Sequence, residues 1–171
     1  MPTMQVEAHS SATSAGPSAQ VASAGNSEAN SAGSIRSGTV RSFKPEIQDL
    51  IERRMGEIVA GIAATFEMTA TLRYERRYPA TVNSPEETQH ALGAATALVG
   101  AANVDTDPMP SMASEDFAFM LQEKAGCYVW LGAGRGPGTP GLHNPHYDFN
   151  DEALAIGASY WVTLAEQQLA A

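Results

Sequence analysis

The alternation of apolar and polar positions from residue 35 onward predicts three consecutive elements. Residues 35–43, Ile-Arg-Ser-Gly-Thr-Val-Arg-Ser-Phe, are typical of a short strand. Pro45 then stands at the first position of a helix of about five turns, because apolar residues follow it at spacings of three and four. These apolar positions are Ile47, Leu50, Ile51, Ile58, Ile62 and Phe66. Apolar and polar side chains alternate again over residues 68–75, which predicts a half-buried strand.

The strand–helix–strand order of this first segment is typical of half an α/β sandwich. The second half of the chain is predicted to contain further helices and a further strand. Ser-Pro-Glu-Glu at residues 84–87 forms a capping box that predicts the start of a helix ending at Gly100. Ser114 is the predicted cap of another short helix. A continuous apolar run between glycines, residues 126–132, predicts a strand that is covered on both faces.

A final helix is predicted after a loop rich in glycine and proline. Asp151 stands at its predicted cap. We expect one apolar side of this helix to face the core, and it consists of Leu154, Ala158, Trp161, Ala165 and Leu169. Trp130 and Trp161 are therefore expected in the core, and Cys127 is expected to be a buried, inert thiol.

Residues 1–34 differ from the rest of the chain in composition. They contain eight serines, eight alanines and three glycines, with no lysine, arginine or aromatic residue. Such a segment cannot bury enough apolar area to offset the entropy of ordering it, so we expect a disordered leader. It lacks the features of a secretory signal or a transit peptide, and a cytoplasmic location is expected.

Composition and charge exclude several functional classes. The chain of 171 residues has a formal net charge of −9, which argues against nucleic acid or an anionic membrane as a partner. No apolar run approaches the roughly 18 residues that a transmembrane helix needs. The single cysteine cannot form an internal disulfide.

Candidate chemistry lies in the loop between the apolar strand and the last helix. The carboxyl end of a strand is where open α/β sheets place ligands, and His143 stands in this loop beside Pro145. A neutral imidazole suits zinc or manganese. A catalytic zinc, however, needs about three protein ligands and this loop supplies one or two, so the alternative is a surface or hydrogen-bonding histidine.

Four segments, in this order, carry a resemblance to a known family. They are Gly-Thr-Val-Arg-Ser-Phe at 38–43, Tyr-Pro-Ala-Thr-Val-Asn at 78–83, Ser-Met-Ala-Ser-Glu-Asp-Phe at 111–117 and Leu-His-Asn-Pro-His-Tyr-Asp-Phe-Asn-Asp at 142–151. Together they resemble the C-terminal part of the metal-dependent amidohydrolases, which include hippurate hydrolase and the N-acyl-amino-acid amidohydrolases. The resemblance implies hydrolysis of the amide bond of an N-acyl amino acid at a centre of two divalent metal ions, zinc or manganese.

The same resemblance implies a two-domain organisation. Residues 35–78 resemble the end of a lid domain that also mediates homodimerisation, and residues 79–171 resemble the C-terminal part of a zinc-peptidase-like α/β catalytic domain. His143 falls on the last metal ligand of the family, and Arg41 on the lid arginine expected to bind the substrate carboxylate. Arg41 is otherwise an ordinary solvated charge, and the two interpretations have equal weight.

Glu115 has two interpretations as well. A carboxylate at a helix start is favourable in itself, and this is sufficient to explain it. The functional alternative is that Glu115 orients a metal-ligating imidazole from outside the ligand set. His146 occupies a variable position of the family motif, so we expect it to be exposed.

The departures from the family pattern are large. The chain has neither the Cys-Gly-His-Asp motif nor the Glu-Glu pair that supply most ligands and the catalytic glutamate, so no catalytic residue is assigned. We expect a truncated reading frame whose product contributes one ligand and is inactive alone. The alternative is a non-catalytic folding or dimerisation module that associates with a separate catalytic half. A third outcome is aggregation through unpaired sheet edges.

Overall fold

The computed structural model describes residues 4–6, 13–14, 18–24 and 34–170. The strands are β1 (Met4–Val6), β2 (Thr13–Ser14), β3 (Ser18–Ala24), β4 (Ser34–Thr39), β5 (Thr69–Glu75), β6 (Ala80–Thr81), β7 (Val104–Asp105) and β8 (Val129–Leu131). The helices are α1 (Pro45–Thr65), α2 (Pro85–Val99), α3 (Phe117–Glu123) and α4 (Glu152–Leu169), with a 3₁₀ turn at Ala101–Asn103. The predicted α/β class is confirmed.

The described residues divide into two compact units. Unit 1 contains residues 4–6, 82–110 and 120–170, and unit 2 contains residues 13–14, 18–24, 34–81 and 111–119. The segment 111–119, which the resemblance places in the catalytic domain, therefore groups with the strands and the helix that resemble the lid. Among the described helices, none is both long and apolar enough to cross a membrane.

Unit 2 is built on an antiparallel sheet in the order β4-β3-β5. Its central strand, β3, belongs to the leader, and its register pairs Ser18 with Thr39 on one side and with Glu75 on the other. The described leader segments thus differ from the expected absence of structure, because ladder hydrogen bonds use backbone groups and do not require large side chains. The remaining leader residues, to which the same expectation applied, lie outside the described part of the chain.

Helix α1 begins at Pro45 and packs against β5. The alternation predicted for β5 is confirmed, since its side chains are exposed and half-buried in turn as far as Tyr74. Arg76 follows the strand and pairs with two carboxylates of α1, with Nη1 at 2.6 Å from Oδ1 of Asp49 and Nε donating to Oε2 of Glu52 at 2.8 Å. These exposed ion pairs add little stability, but they connect α1 to the residue that follows β5.

Unit 1 contains a second sheet, in the order β7-β1-β8, with β1 parallel to β7 and antiparallel to β8. Helices α2 and α4 pack on each other, and their buried residues join β1 in one core. The members of this core are Met4, Ala91, Ala94, Ala95 and Tyr160. The predicted strand at 126–132 is shorter than expected, and Cys127, Trp130 and their neighbours are half-buried rather than covered on both faces. Within the described residues, β8 lies at the edge of a three-stranded sheet.

The start of α2 is where it was predicted, and so is its end at Gly100, where a φ of 80° favours glycine. The predicted capping bond, however, is absent from this helix end. The hydroxyl of Ser84 instead accepts the backbone N–H of Gly126 at 3.1 Å, and the backbone N–H of Ser84 donates to the carbonyl of Gly126 at 2.9 Å. The hydroxyl of Ser84 therefore bonds to Gly126, outside the helix, and not to a backbone N–H in the first turn of α2.

Two predictions for α4 are wrong. Asp151 makes no capping hydrogen bond, and the side-chain oxygen of the buried Asn150 accepts the backbone N–H of Glu152 at 3.2 Å instead. The side of α4 that was expected to face the core is also exposed, with Trp161 at 63%, whereas the adjacent Tyr160 is buried at 3%. Both sides of this helix are apolar, so periodicity alone could not identify the side that packs.

Candidate functional site

The loop that carries His143 follows β8 and is shaped by two consecutive turns. In the first, the backbone N–H of Asn144 donates to the carbonyl of Gly141 at 3.2 Å. In the second, the N–H of Tyr147 donates to the carbonyl of Asn144 at 2.9 Å, with Pro145 at the position that its fixed φ favours. The side chain of Asn144 also accepts the N–H of His146 at 2.9 Å. Turns that the local sequence itself favours therefore hold the loop in this conformation.

His143 has a left-handed backbone conformation, with a φ of 67°. It is the third residue of the first turn, where glycine would adopt this φ without cost. Its side chain is exposed. A positive φ at a residue other than glycine is uncommon and is found more often at functional sites, because only the surrounding structure can maintain it.

Contacts on either side of the loop fix its position within unit 1. Arg135 donates from Nη2 to the carbonyl of Phe149 at 2.9 Å, and its Nη1 lies 3.1 Å from Oδ2 of Asp148. Before β8, the buried Asn83 donates to the carbonyl of Tyr128 at 2.9 Å and accepts the N–H of Tyr128 at 2.7 Å. Asn83 therefore pairs with the backbone as a neighbouring strand would.

The donor set of the described residues does not by itself fit a metal ion. The part of the chain that the structure describes contains no group of three or more histidine, cysteine, aspartate or glutamate side chains that could hold one. His90 is exposed on α2 and His146 is exposed in the loop, as expected for the latter. What the loop offers is one exposed imidazole, His143, on a constrained backbone.

The second candidate residue, Arg41, lies in unit 2 just after β4. Its Nη1 donates to the hydroxyl of Ser114 at 3.3 Å, a contact between residues 73 positions apart. Ser114 does not cap α3, which begins at Phe117. The prediction that Ser114 caps this helix is therefore wrong, and the hydroxyl is used by the arginine instead.

Glu115, the third candidate, bonds to the start of α3, as expected for a carboxylate that is favourable at a helix start. Its Oε1 accepts the backbone N–H of Phe117 at 3.1 Å, at the first residue of α3. The carboxylate thus satisfies an N–H group that the helix leaves unpaired, and its charge lies at the favourable end of the helix. A further role of Glu115 in orienting a metal ligand stays a prediction.

The structure brings Arg41 together with the segment 111–117 in unit 2, and it places His143 in unit 1. Two polar residues support these positions through contacts that the sequence pattern did not indicate, Asn83 and Ser114. Asn83 could have been suspected because a polar residue directly before a helix cap often bonds to a neighbouring segment. Nothing local to Ser114 indicates its bond to Arg41, since that contact depends on the tertiary structure.

The chain is similar in sequence to several known proteins. The sequence model of Peptidase family M20/M25/M40 matches residues 4–167. Hippurate hydrolase of Campylobacter jejuni is 34% identical over 131 residues, which are 77% of this chain and 33% of that protein. An N-acetyldiaminopimelate deacetylase of Streptococcus thermophilus is 32% identical over 124 residues, which are 71% of this chain and 31% of that protein. The chain spans about a third of the length of these relatives.

A solved structure extends the comparison to the fold. The YXEP protein of Bacillus subtilis, a dinuclear metal binding peptidase from the M20 family, matches with a TM-score of 0.74 and 21% sequence identity. The superposition covers 96% of this chain and 53% of that one. The likeness supports the α/β fold of the described chain.

Proposed function

The chain belongs to peptidase family M20/M25/M40, and from this premise we propose that it is the C-terminal part of a metal-dependent amidohydrolase that hydrolyses the amide bond of N-acyl amino acids. In this proposal His143 supplies one ligand to a centre of two divalent metal ions, and Arg41 binds the substrate carboxylate. The single observation that carries the proposal is the family match over residues 4–167, which includes both residues.

The conformation of His143 supports its assignment as a ligand. A positive φ in a loop held by two turns directs one imidazole away from the backbone at a cost of about 1–3 kcal/mol, which a merely solvated histidine would not need. Zinc and manganese both accept imidazole nitrogen. Because the described residues contain no cluster of three or more potential ligands, we propose that the other ligands come from elsewhere and that this chain alone hydrolyses nothing.

The contact of Arg41 with Ser114 supports its assignment as the carboxylate-binding residue. Arg41 is half-buried, and its Nη1 donates to the hydroxyl of Ser114. A guanidinium is planar, and its fork of N–H donors matches the two oxygens of a carboxylate. The substrate names of the relatives, hippurate and N-acetyldiaminopimelate, are both N-acyl amino acids with a free carboxylate.

Complementation of hydrolysis tests the proposal. The chain is co-expressed with the N-terminal part of the Campylobacter hippurate hydrolase, and the release of glycine from hippurate is measured. We expect no hydrolysis by the chain alone and hydrolysis by the pair. His143→Ala should lower kcat/KM at least about 100-fold, because losing a ligand costs more than the 10–100-fold typical of its hydrogen-bonding partners. His146→Ala, in the same loop, is the matched control and should change the rate little.

The role of Arg41 is tested in the same pair. Arg41→Lys should raise KM about 10-fold or more while kcat changes less, because a lysine cannot form the bidentate pair. An equal loss for hippurate and for an analogue whose carboxylate is replaced by an amide would contradict the proposal. Equal kinetics for Arg41→Lys and the unmodified chain would contradict it as well.

A second candidate function, a module that dimerises through its lid strands, is supported by the position of β4. This strand lies at one end of the described sheet of unit 2, and Ile35 on it is 68% exposed. An exposed edge can pair with its own copy. Ser37→Pro would remove a ladder donor, so a dimer formed through β4 should become a monomer in sedimentation. Unchanged sedimentation would exclude this edge.

A further inference from the structure

The segment between β8 and α4 contains a loop, residues 135–149, whose two ends are joined by one side chain. Arg135 donates from Nη2 to the backbone carbonyl of Phe149 at 2.9 Å, although the two residues are 14 positions apart. Nη1 of the same guanidinium lies 3.1 Å from Oδ2 of Asp148. A surface loop of this length whose ends lie close together is an Ω-loop. His143 stands near its middle.

The two ends of the 135–149 loop are held differently. The chain is fixed directly after Phe149, because Asn150 is buried and its side chain accepts the backbone N–H of Glu152 at the start of α4 at 3.2 Å. Arg135, in contrast, follows Gly-Ala-Gly at 132–134, which belongs to no helix or strand. The guanidinium therefore connects the less constrained end of the loop to the end that α4 fixes.

The backbone hydrogen bonds inside the loop are local. The N–H of Thr139 donates to the carbonyl of Gly136 at 3.2 Å, and the other two turns span residues 141–144 and 144–147. Each bond closes a turn of four residues, so it sets the local direction of the chain but connects the loop to no other element. Within the described residues, the contacts of Arg135 are the ones that join the two ends of the loop.

The two contacts of Arg135 differ in what they contribute. The side chain of Asp148 is 78% exposed, so its ion pair with Arg135 adds little. The bond to the carbonyl of Phe149 is charge-assisted and directional, and its acceptor belongs to backbone that precedes the buried Asn150. We therefore expect the carbonyl bond to hold the loop.

We propose that Arg135 is a positioning residue for His143. By bonding to the carbonyl of Phe149 it holds the 135–149 loop, and with it the imidazole, in place for a divalent metal ion. This inference rests on the function proposed above, in which His143 is a ligand. A ligand on a loop that is already ordered binds more tightly, because less conformational entropy is lost on binding. Arg135 itself touches neither metal nor substrate in this proposal.

Hydrogen exchange of the full chain tests the first step without metal or hydrolysis. Arg135→Ala should raise the exchange rates of the backbone amides of Asn144 and Tyr147 about 10-fold or more, because their turns open more often when the ends of the loop separate. The amide of Tyr128, which donates to Asn83 outside the loop, should change less than about 2-fold. Equal changes inside and outside the loop would overturn the proposal, since Arg135 would then stabilise unit 1 as a whole.

Lys124→Ala is the matched control for charge. Lys124 and Arg135 are the two lysine or arginine residues of the described part of unit 1, and Lys124 is exposed outside the loop. Its removal takes the same charge from unit 1 and should change the exchange of the loop amides less than about 2-fold. A change as large as that of Arg135→Ala would overturn the proposal, because the net charge of unit 1 would then be the cause.

Zinc affinity tests the second step. The chain is paired with the N-terminal part of the Campylobacter hippurate hydrolase, and zinc binding is measured by competition with a chelator. Arg135→Ala should weaken zinc binding about 10–100-fold, the loss typical of residues that orient a ligand. Asp148→Asn keeps the acceptor carbonyl and should weaken it less than about 3-fold. A loss in Asp148→Asn as large as that in Arg135→Ala would overturn the assignment to the carbonyl bond.

The failure of this inference differs from the failure of the proposed function. Zinc binding that Arg135→Ala leaves unchanged overturns the role of Arg135 and leaves the proposed function intact. Unchanged exchange of the loop amides in Arg135→Ala overturns it as well, since other contacts would then hold the loop. If the unmodified chain in the pair contributes no zinc site, the proposed function is contradicted, and the role of Arg135 toward the metal falls with it.

Discussion

Helices α2 and α4 lie side by side in unit 1, yet they bury their apolar residues differently. Three alanines of α2 enter the core, and leucines beside them pack against it. Helix α4 contributes Tyr160 and Ala153 to buried positions. The apolar residues on its other side are exposed, and this stripe consists of Leu154, Ala158, Trp161, Val162, Ala165 and Leu169. Helix α2 therefore has a single apolar side, and that side is covered. Helix α4 has two apolar sides, of which one is covered.

The number of apolar sides of a helix corresponds to the number of layers that it can pack against. A helix that contacts one layer needs one apolar side, and a helix between two layers needs both. Within the described residues of unit 1, α4 is therefore covered on one of its two apolar sides. Helix α1 of unit 2 is similar, since Ile58, Ile62 and Phe66 are exposed beside the buried Ala63.

The largest expected effect contrasts two adjacent residues of α4. Tyr160→Ala should lower the free energy of unfolding by about 3–5 kcal/mol, because it leaves a cavity among Met4, Ala91 and Ala95. Trp161→Ala should change it by less than about 0.5 kcal/mol, because the ring is exposed. Urea unfolding of the full chain measures both. Equal losses would mean that the stripe is packed, which contradicts the comparison.

Enlarging a side chain tests the same contrast from the other direction. Ala95→Leu in α2 should destabilise the chain by about 1–3 kcal/mol, since the core has no space for the added atoms. Ala158→Leu in the stripe of α4 is the matched change, and it should alter the free energy of unfolding by less than about 0.5 kcal/mol, because the position is exposed and leucine is nearly as good a helix former as alanine. Thermal unfolding compares the two variants. A destabilising Ala158→Leu would show that this side is already covered.

The helix starts provide a smaller test. Asn150→Ala should cost about 1 kcal/mol of unfolding free energy, because it removes the acceptor for the N–H of Glu152. Asp151→Ala should cost less than about 0.5 kcal/mol, since Asp151 makes no capping bond. If the order of these two costs were reversed in urea unfolding, the cap would be the residue that the sequence pattern predicted.

The last test is a pH dependence, which is expected only above the physiological range. Burial, and secondarily the charge of the Cys127 thiolate, raises the pKa of Tyr160 from 10.0 to about 12. The folded state therefore holds this proton more tightly than the unfolded state, so the stabilisation is complete below pH 10 and is lost as pH rises from 10 to 12. Tyr160→Phe should show a flatter decline over this interval. Parallel curves would mean that the hydroxyl is solvated.

Much of the fold could be predicted from the sequence, because it depends on patterns within short segments of the chain. Pro45 and the alternation over residues 69–75 are properties of short segments, and the structure places α1 and β5 accordingly. The β3 strand could not be predicted, because a stretch of serine and alanine becomes a strand only when two neighbours offer their backbone groups. For the same reason, the bond between Arg41 and Ser114 has no local signal.

The sequence by itself determined the α/β class, the ends of α1 and α2, and the motifs that identify the family. These follow from periodicity, from proline and glycine at helix ends, and from residues that are adjacent in the chain. Only the tertiary structure decided that Ser84 bonds to Gly126, that Asn150 caps α4, and that Tyr160 is buried while Trp161 is not. The bond of Ser84 and the burial of Tyr160 depend on partners that are distant in sequence. The start of α4 involves neighbours in the chain, but whether Asn150 or Asp151 bonds to a backbone N–H depends on how the packed chain orients these two side chains.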